Sequence, residues 1–226
     1  KDKSGNIIHN PSRPLLKDMD ILPEPDFSLV HGWKPTNVYP VSTSRGCPFD
    51  CKFCSVIQMF GRKYRFKSVE ATLKELRHVA SVSKSTVFFV DDNFTAKKDR
   101  TKAILKGMID EGIEVGSSAQ VRADIAKDSE LLRLMAEAEC DIVYVGFESI
   151  NPKTLELYNK KQNVDEIVNC IKAVKDHGIR IHGMFVLGAD TDNVDTIKAT
   201  TDFAIKLNID TIQFMILTPL PGTPVF

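Results

Sequence analysis

A rhythm constrains this chain more than any other feature. From Val38 onward, short apolar runs alternate with longer amphipathic segments. The strand-like runs are Val38–Ser42, Thr86–Val90, Glu114–Ala119, Asp141–Phe147, Arg180–Leu187 and Asp210–Leu217. Most are near-continuous apolar stretches, as expected for parallel strands buried on both faces. Six strands alternating with at least five helices imply right-handed crossovers, in either a doubly wound sheet or a barrel. An eight-unit barrel needs roughly 250 residues, more than remain after Pro40. Six βα units fit, the sixth truncated. Periodicity alone leaves open sheet and barrel equal.

The helices carry readable punctuation. Ser68 can cap one with Val69, Leu73, Leu76 and Ala80 on one face and Glu70 in its first turn. Thr95 can cap the next, which carries Ile104, Leu105, Met108 and Ile109 and ends at Gly112. Asp128 precedes Leu131, Leu134, Met135 and Ala138. Asn151-Pro152 is a cap followed by proline at the first helical position, and the helix after it carries Ile167, Ile171 and Val174 to Gly178. The last starts near Asn193, with Val194, Ile197, Ala204 and Ile205.

Residues 1–40 read differently. They hold Pro11, Pro14, Pro23, Pro25, Pro35 and Pro40, six of the eleven prolines. Proline fixes φ and lacks a donor, so an extended, irregular linker is expected. Ile21, Leu22, Phe27, Leu29, Val30 and Trp33 give it apolar surface to pack on the main domain. A chain that opens on Lys1 and stops after a strand-like run reads as a piece of a longer protein. Residues 1–40 would be its connector and residues 41–226 its core domain.

Parallel α/β folds collect their sites at the carboxyl ends of strands. Here those ends are polar: Ser42–Gly46, Asp91-Asp92-Asn93, Ser118–Arg122, Glu148-Ser149, Gly188-Ala189-Asp190 and Thr218–Pro224. The first leads into Cys47-Pro48-Phe49-Asp50-Cys51-Lys52-Phe53-Cys54. Thiolates at such spacing select an iron–sulfur cluster, zinc or Cu(I). No nearby fourth Cys or His closes a tetrahedral zinc site, whereas three thiolates on a cubane leave one iron open.

The C-x3-C-x-aromatic-C form resembles the cluster motif of radical S-adenosylmethionine (radical SAM) enzymes, and the resemblance runs from about Val38 to Pro224. It implies an α/β fold, a partial (β/α)6 TIM-like barrel preceded by the proline-rich linker. By it, Cys47, Cys51 and Cys54 ligate a 4Fe-4S cluster whose open iron is chelated by the amino and carboxylate groups of S-adenosylmethionine. One electron then cleaves the sulfonium, and the 5′-deoxyadenosyl radical functionalises an unactivated C–H position. The resemblance implies further cofactor contacts at Phe53, Asp91, Asp92, Gln120, Arg122, Glu148 and Gly188. Bland readings stand beside them: a turn at Asp92-Asn93, a helix N-terminal acid at Glu148, and an Arg122–Asp124 ion pair.

Asp20–Asp26, Arg45–Pro48, Val90–Phe94, Gly146–Ser149 and Pro219–Pro224 resemble the cobalamin-binding group of methylases and ring-forming enzymes. That implies a cobalamin-type methyltransferase, with cobalamin held by an N-terminal domain outside this chain. It also implies a small-molecule substrate and an electron donor such as flavodoxin or ferredoxin. A methylthiotransferase of tRNA or protein is the alternative within the superfamily. A non-catalytic iron–sulfur electron-transfer or zinc scaffold module is the alternative outside it.

Formal net charge is zero, which argues against a protein built mainly for nucleic acid. No apolar run approaches the ~20 residues of a membrane span. Five cysteines, three of them clustered, do not form a disulfide framework, and a reducing cytoplasm fits. Cys140 and Cys170 read as buried structural thiols, and His182 as a core or lumen histidine. Gly61–Lys67 mixes bases with aromatics, which suits either a solvated loop or a grip on phosphate or nucleic acid.

Overall fold

The computed structural model describes residues 3–32, 38–82 and 86–226. Trp33 and Pro35 of the expected linker lie outside them.

Strand β1 (Val38–Val41) leads into β2 (Ser44–Arg45), the cysteine loop and α1 (Val56–Phe60). The chain returns through β3 (Arg65–Phe66), antiparallel to β2, and enters α2 (Val69–Val82). Then follow β4 (Thr86–Phe89), α3 (Lys98–Asp110), β5 (Ser117–Val121), α4 (Ser129–Glu137) and β6 (Cys140–Glu148). The chain continues through α5 (Pro152–Leu157), α6 (Val164–Asp176), β7 (Arg180–Leu187), α7 (Val194–Lys206) and β8 (Thr211–Ile216).

The main sheet is parallel and ordered β1-β4-β5-β6-β7-β8. Strand order never reverses, so there is no switch point of the doubly wound kind. Winding is in one direction, as in a barrel. Among the described residues no pairing joins β1 to β8, so the barrel is partial and open. Pro40 sits on the edge strand β1, where its missing donor breaks no ladder.

Burial departs from the two-sided pattern expected from sequence. One sheet face is sealed: Val41, Val87, Phe89, Ala119, Val143, Val145, Ile181 and Phe185 pack in a single core with the apolar stripes of α2, α3, α4 and α6. Full burial of such side chains contributes about 1.5–3 kcal/mol each. The alternate residues Phe88, Tyr144, His182 and Met184 are only half-buried on the inner face. His182 is therefore a lumen residue, 4.8 Å from the Tyr144 ring and paired through Nδ1 with Thr211 Oγ1 at 2.8 Å. Cys140 and Cys170 are buried, and burial pushes each thiol up to about 12.

Several caps stand as read. Ser68 Oγ accepts from Ala71 N, Asp128 from Leu131 N, Asn151 from Lys153 N, and Asn193 from Asp195 N and Thr196 N. Two helix expectations change. Thr95 does not cap α3: its hydroxyl turns back to Asn93 Oδ1, and the helix begins at Lys98. The segment after Asn151 is two helices. Asn159 and Lys161 take positive φ, and Asn163 with Glu166 forms a capping box that restarts the chain as α6.

Before β1 the described chain is irregular apart from one turn of 3-10 helix, Phe27–Leu29. Ile21, Leu29 and Val30 are exposed rather than packed. Phe27 packs as expected, edge-on to Tyr39 at 5.0 Å, and the further anchors are Met19, fully buried, and Asp20, whose carboxylate accepts from Ser68 N at 2.7 Å.

Candidate active site

The cysteine loop is held at both ends by the backbone. Gly46 takes φ +92°, and a Cβ there would lie 2.4 Å from the Lys63 carbonyl. Only glycine lets the outgoing and returning strands approach this closely. Cys47 N donates to Gly61 O, and Cys54 N to Cys51 O. The far side of the loop is tied to the α5–α6 connection by Lys52 N to Tyr158 O and by Asn159 Nδ2 to Asp50 O.

Cys47, Cys51 and Cys54 line one cavity together with Phe49, Phe53, Asp92, Asn93, Gln120, Arg122, Gly146, Glu148, Lys160 and Met184. Eight of the ten residues expected at the site thus meet at one place. Among the described residues no three Cys, His, Asp or Glu side chains converge on one metal ion. Three thiolates serving separate irons of a cube need no such convergence.

Glu148 is placed by a local irregularity. The β6–β7 register shifts between Gly146 and Glu148, and Glu148 takes φ +63°. A bulge at a strand end re-aims a side chain at some conformational cost. Here it turns a nearly buried carboxylate toward the cavity, where Oε1 pairs with Lys160 Nζ at 2.7 Å. Gly146 makes room: a Cβ would stand 2.4 Å from Glu148 Oε1 and 3.0 Å from Lys160 Nζ.

Arg122 faces the cavity with its guanidinium 3.7 Å from the centre of the Phe49 ring and donates to the Lys160 carbonyl at 3.3 Å. No Arg122–Asp124 ion pair forms among the described residues. Burial pushes the Cys51 thiol up, and the charges of Lys160 and Arg122 oppose that rise. Burial also raises the Cys54 thiol and, with the neighbouring Asp91 charge, the half-buried Asp92 carboxyl. Phe53 meets Tyr158 edge-on at 5.0 Å.

Two expected residues stand outside the cavity. The Asp91 carboxylate is used within the fold: it accepts from Thr43 N at 3.1 Å, from Thr43 Oγ1 at 3.2 Å and from Ser44 Oγ. Arg100 completes that network through Thr43 and Thr72. Gly188 is exposed, and its N–H is taken by Asp192 Oδ2 at 2.9 Å.

Lys160, Asn93, Phe49 and Met184 line the cavity without having been singled out. Lys160 had a readable sign, because Asn163-x-x-Glu166 is a capping box that ends any helix running through it. Three bases of the segment after the loop are engaged within the chain. Arg62 pairs with Asp50, Arg65 donates to the Leu16 and Phe60 carbonyls, and Lys67 pairs with buried Glu75.

The donor set fits a cluster with an amino-acid cofactor. Three thiolates suit iron, and a carboxylate beside two cations suits a zwitterion. Arg122 Nε is buried without a hydrogen-bond partner.

Comparison with known proteins gives the same reading. Over 231 residues the chain is 34% identical to an uncharacterized methyltransferase of Pyrococcus horikoshii, covering 98% of this chain and 49% of that protein. It is 31% identical over 219 residues to bacteriochlorophyllide d C-12(1)-methyltransferase of Chlorobaculum tepidum, covering 93% and 48%. The chain thus spans about half the length of these relatives. A solved radical S-adenosylmethionine methyltransferase, TsrM of Kitasatospora setae, shares the fold with a TM-score of 0.76 at 19% identity, over 83% of this chain and 38% of that one. The sequence pattern of the Radical SAM superfamily matches residues 41–204, and the chain belongs to that superfamily.

Proposed function

We propose that this chain is the core of a cobalamin-type radical SAM methyltransferase acting on a small molecule. Membership of the superfamily brings a 4Fe-4S cluster and S-adenosylmethionine. The observation carrying the site assignment is the single cavity that gathers the three cysteines with Gln120, Arg122, Glu148 and Lys160. The relatives named as methyltransferases support the reaction class.

When bound, the reduced cluster supplies the electron that splits the cofactor's sulfonium C–S bond. The protein's share is positioning and exclusion of side reactions. Cys47, Cys51 and Cys54 hold three irons. Lys160 and Arg122 meet the methionine carboxylate, and Asp92, the strand-end acid that faces the cavity, meets the amino group. Glu148 and Gln120 orient the remaining polar edge of the cofactor. Phe53 and the half-buried Phe49–Arg122 stack keep water from the cluster. Asp91 acts on the fold, not on the cofactor.

Residues 1–40 serve as the connector to a cobalamin-binding domain, and residues 41–226 as the radical core. The electron comes from a flavodoxin or ferredoxin, and the protein works in the cytoplasm. No helix among the described residues is long and apolar enough to cross a membrane.

The test is anaerobic reconstitution of the protein that carries this chain, followed by EPR of the reduced cluster with and without S-adenosylmethionine. A cubane signal that changes with the cofactor, and is lost in Cys51→Ala, supports the site. A signal indifferent to the cofactor points to an electron carrier instead. Transfer of a deuterated methyl group from labelled S-adenosylmethionine to cobalamin then tests the reaction class.

A further inference from the structure

One side chain reaches a cluster cysteine from outside the cavity. Tyr64, just before β3, directs its hydroxyl at Cys47 Sγ from 3.9 Å, a donor distance suited to a large, diffuse sulfur acceptor. The ring is backed by Phe66 at 5.5 Å, which itself lies beneath the Arg100 guanidinium at 5.3 Å.

A phenol O–H has one proton to give, and Cys47 Sγ is the acceptor in front of it.

We propose that Tyr64 tunes the cluster as a positioning residue, through its hydrogen bond to Cys47. One-electron reduction places more negative charge on the sulfurs, and a donor to a ligating sulfur stabilises that state more than the oxidised one. Tyr64 thus holds the cluster's reduction potential above that of thiolates without such a donor. This rests on Cys47 being a cluster ligand.

The test is an EPR-monitored redox titration of the anaerobically reconstituted protein that carries this chain. Unsubstituted, Tyr64→Phe and Tyr64→Leu forms are compared at equal iron content. Phenylalanine keeps the ring and removes the donor. At a fixed potential near the midpoint, the ratio of reduced to oxidised cluster should fall about tenfold in Tyr64→Phe. That is about 59 mV for a one-electron couple. It should fall in the same direction in Tyr64→Leu, which also lacks the donor. An unchanged or raised midpoint in iron-replete Tyr64→Phe overturns the proposal. A Tyr64→Phe form that folds but keeps no cluster also overturns it, and gives the hydroxyl a role in retention. If Tyr64→Phe does not fold, the Tyr64→Leu midpoint decides by the same sign. An unsubstituted protein that takes up no cluster overturns the cluster reading, and this one with it.

Discussion

Asp91 and Glu148 make an instructive pair. Both are acids at the carboxyl ends of parallel strands beside the cysteine loop, and both are nearly buried, at 1% and 6% exposure. Sequence gives no reason to rank one over the other. The structure separates them by their partners. Asp91 takes three hydrogen bonds from Thr43 and Ser44, the residues that lead into the cysteine loop, and it is not among the residues that line the cavity. Glu148 gives one oxygen to Lys160 and faces the cavity from a backbone conformation costly for a non-glycine residue. A strand-end acid belongs to a site when its neighbours leave it capacity to bind something else. Asp91 stiffens the floor on which the loop stands; Glu148 lines the chamber.

The largest effect that would break this distinction comes from Asp91→Ala. It removes the acceptor for Thr43 and Ser44 and the nearest negative charge to buried Arg100. Removing one member of a buried charged network costs about 3–5 kcal/mol, a melting-temperature loss on the order of 10 °C at this size. Thermal denaturation measures it. A loss of a degree or two would return Asp91 to the list of cofactor contacts. The same residue makes a pH prediction. Burial raises its carboxyl above the ordinary 3.8, against the opposing hydrogen bonds from Ser44 and Thr43. The folded state therefore binds this proton more tightly than the unfolded state. Its contribution is fully present below 3.8 and declines as pH climbs through the raised folded value. Urea midpoints of the unsubstituted protein should fall relative to those of Asp91→Asn over that interval. A constant difference across it would remove the burial argument.

Glu148 and Lys160 should show the reverse profile. The double variant Glu148→Gln/Lys160→Met replaces a buried ion pair by side chains of similar size, which is often close to neutral for stability. Its melting temperature should stay within about 3 °C, roughly 1 kcal/mol. Binding of S-adenosylmethionine should weaken by about tenfold or more, since a hydrogen bond to a charged group contributes about 1.5–3 kcal/mol. The cofactor-induced EPR change at graded concentrations reads it. A double variant that binds normally but melts early would make the pair structural, like Asp91, and the distinction would fail.

What could be read from sequence follows the same line. The six strands, their order of appearance and the cysteine loop after the first were legible because buried periodicity and motif spacing are local properties. Periodicity alone did not give the barrel, since winding direction depends on which strands pair; the family resemblance implied it. Cap residues such as Ser68, Asp128 and Asn193 were legible for local reasons too. Thr95 was misread because its hydroxyl has a better acceptor in Asn93. The site divides likewise. The cysteines announce themselves by spacing, whereas Lys160 reaches the cavity only because α5 ends where it does and the chain crosses back over β6. Phe49 matters through a guanidinium from another strand end, a contact no local pattern records.

The smallest effect probes that break between α5 and α6. Asn163 caps α6, its side chain accepting from Glu166 N at 2.9 Å while Glu166 reaches back to Asn163 N. Loss of such a cap costs about 1 kcal/mol, or 2–4 °C at this size. The segment it steadies is the one that presents Lys160 to Glu148, so Asn163→Ala should weaken S-adenosylmethionine binding by a small factor, about twofold to threefold. The Asp91 network lies on other elements and should not feel it, because distant sites without shared partners act additively. Combined with Asp91→Ala, the two losses in stability should simply add. Combined with the Glu148/Lys160 double variant, the effect of Asn163→Ala on cofactor binding should vanish, since nothing is left for the segment to present. A cycle that couples Asn163 to Asp91 instead would mean that the two acids belong to one cooperative unit.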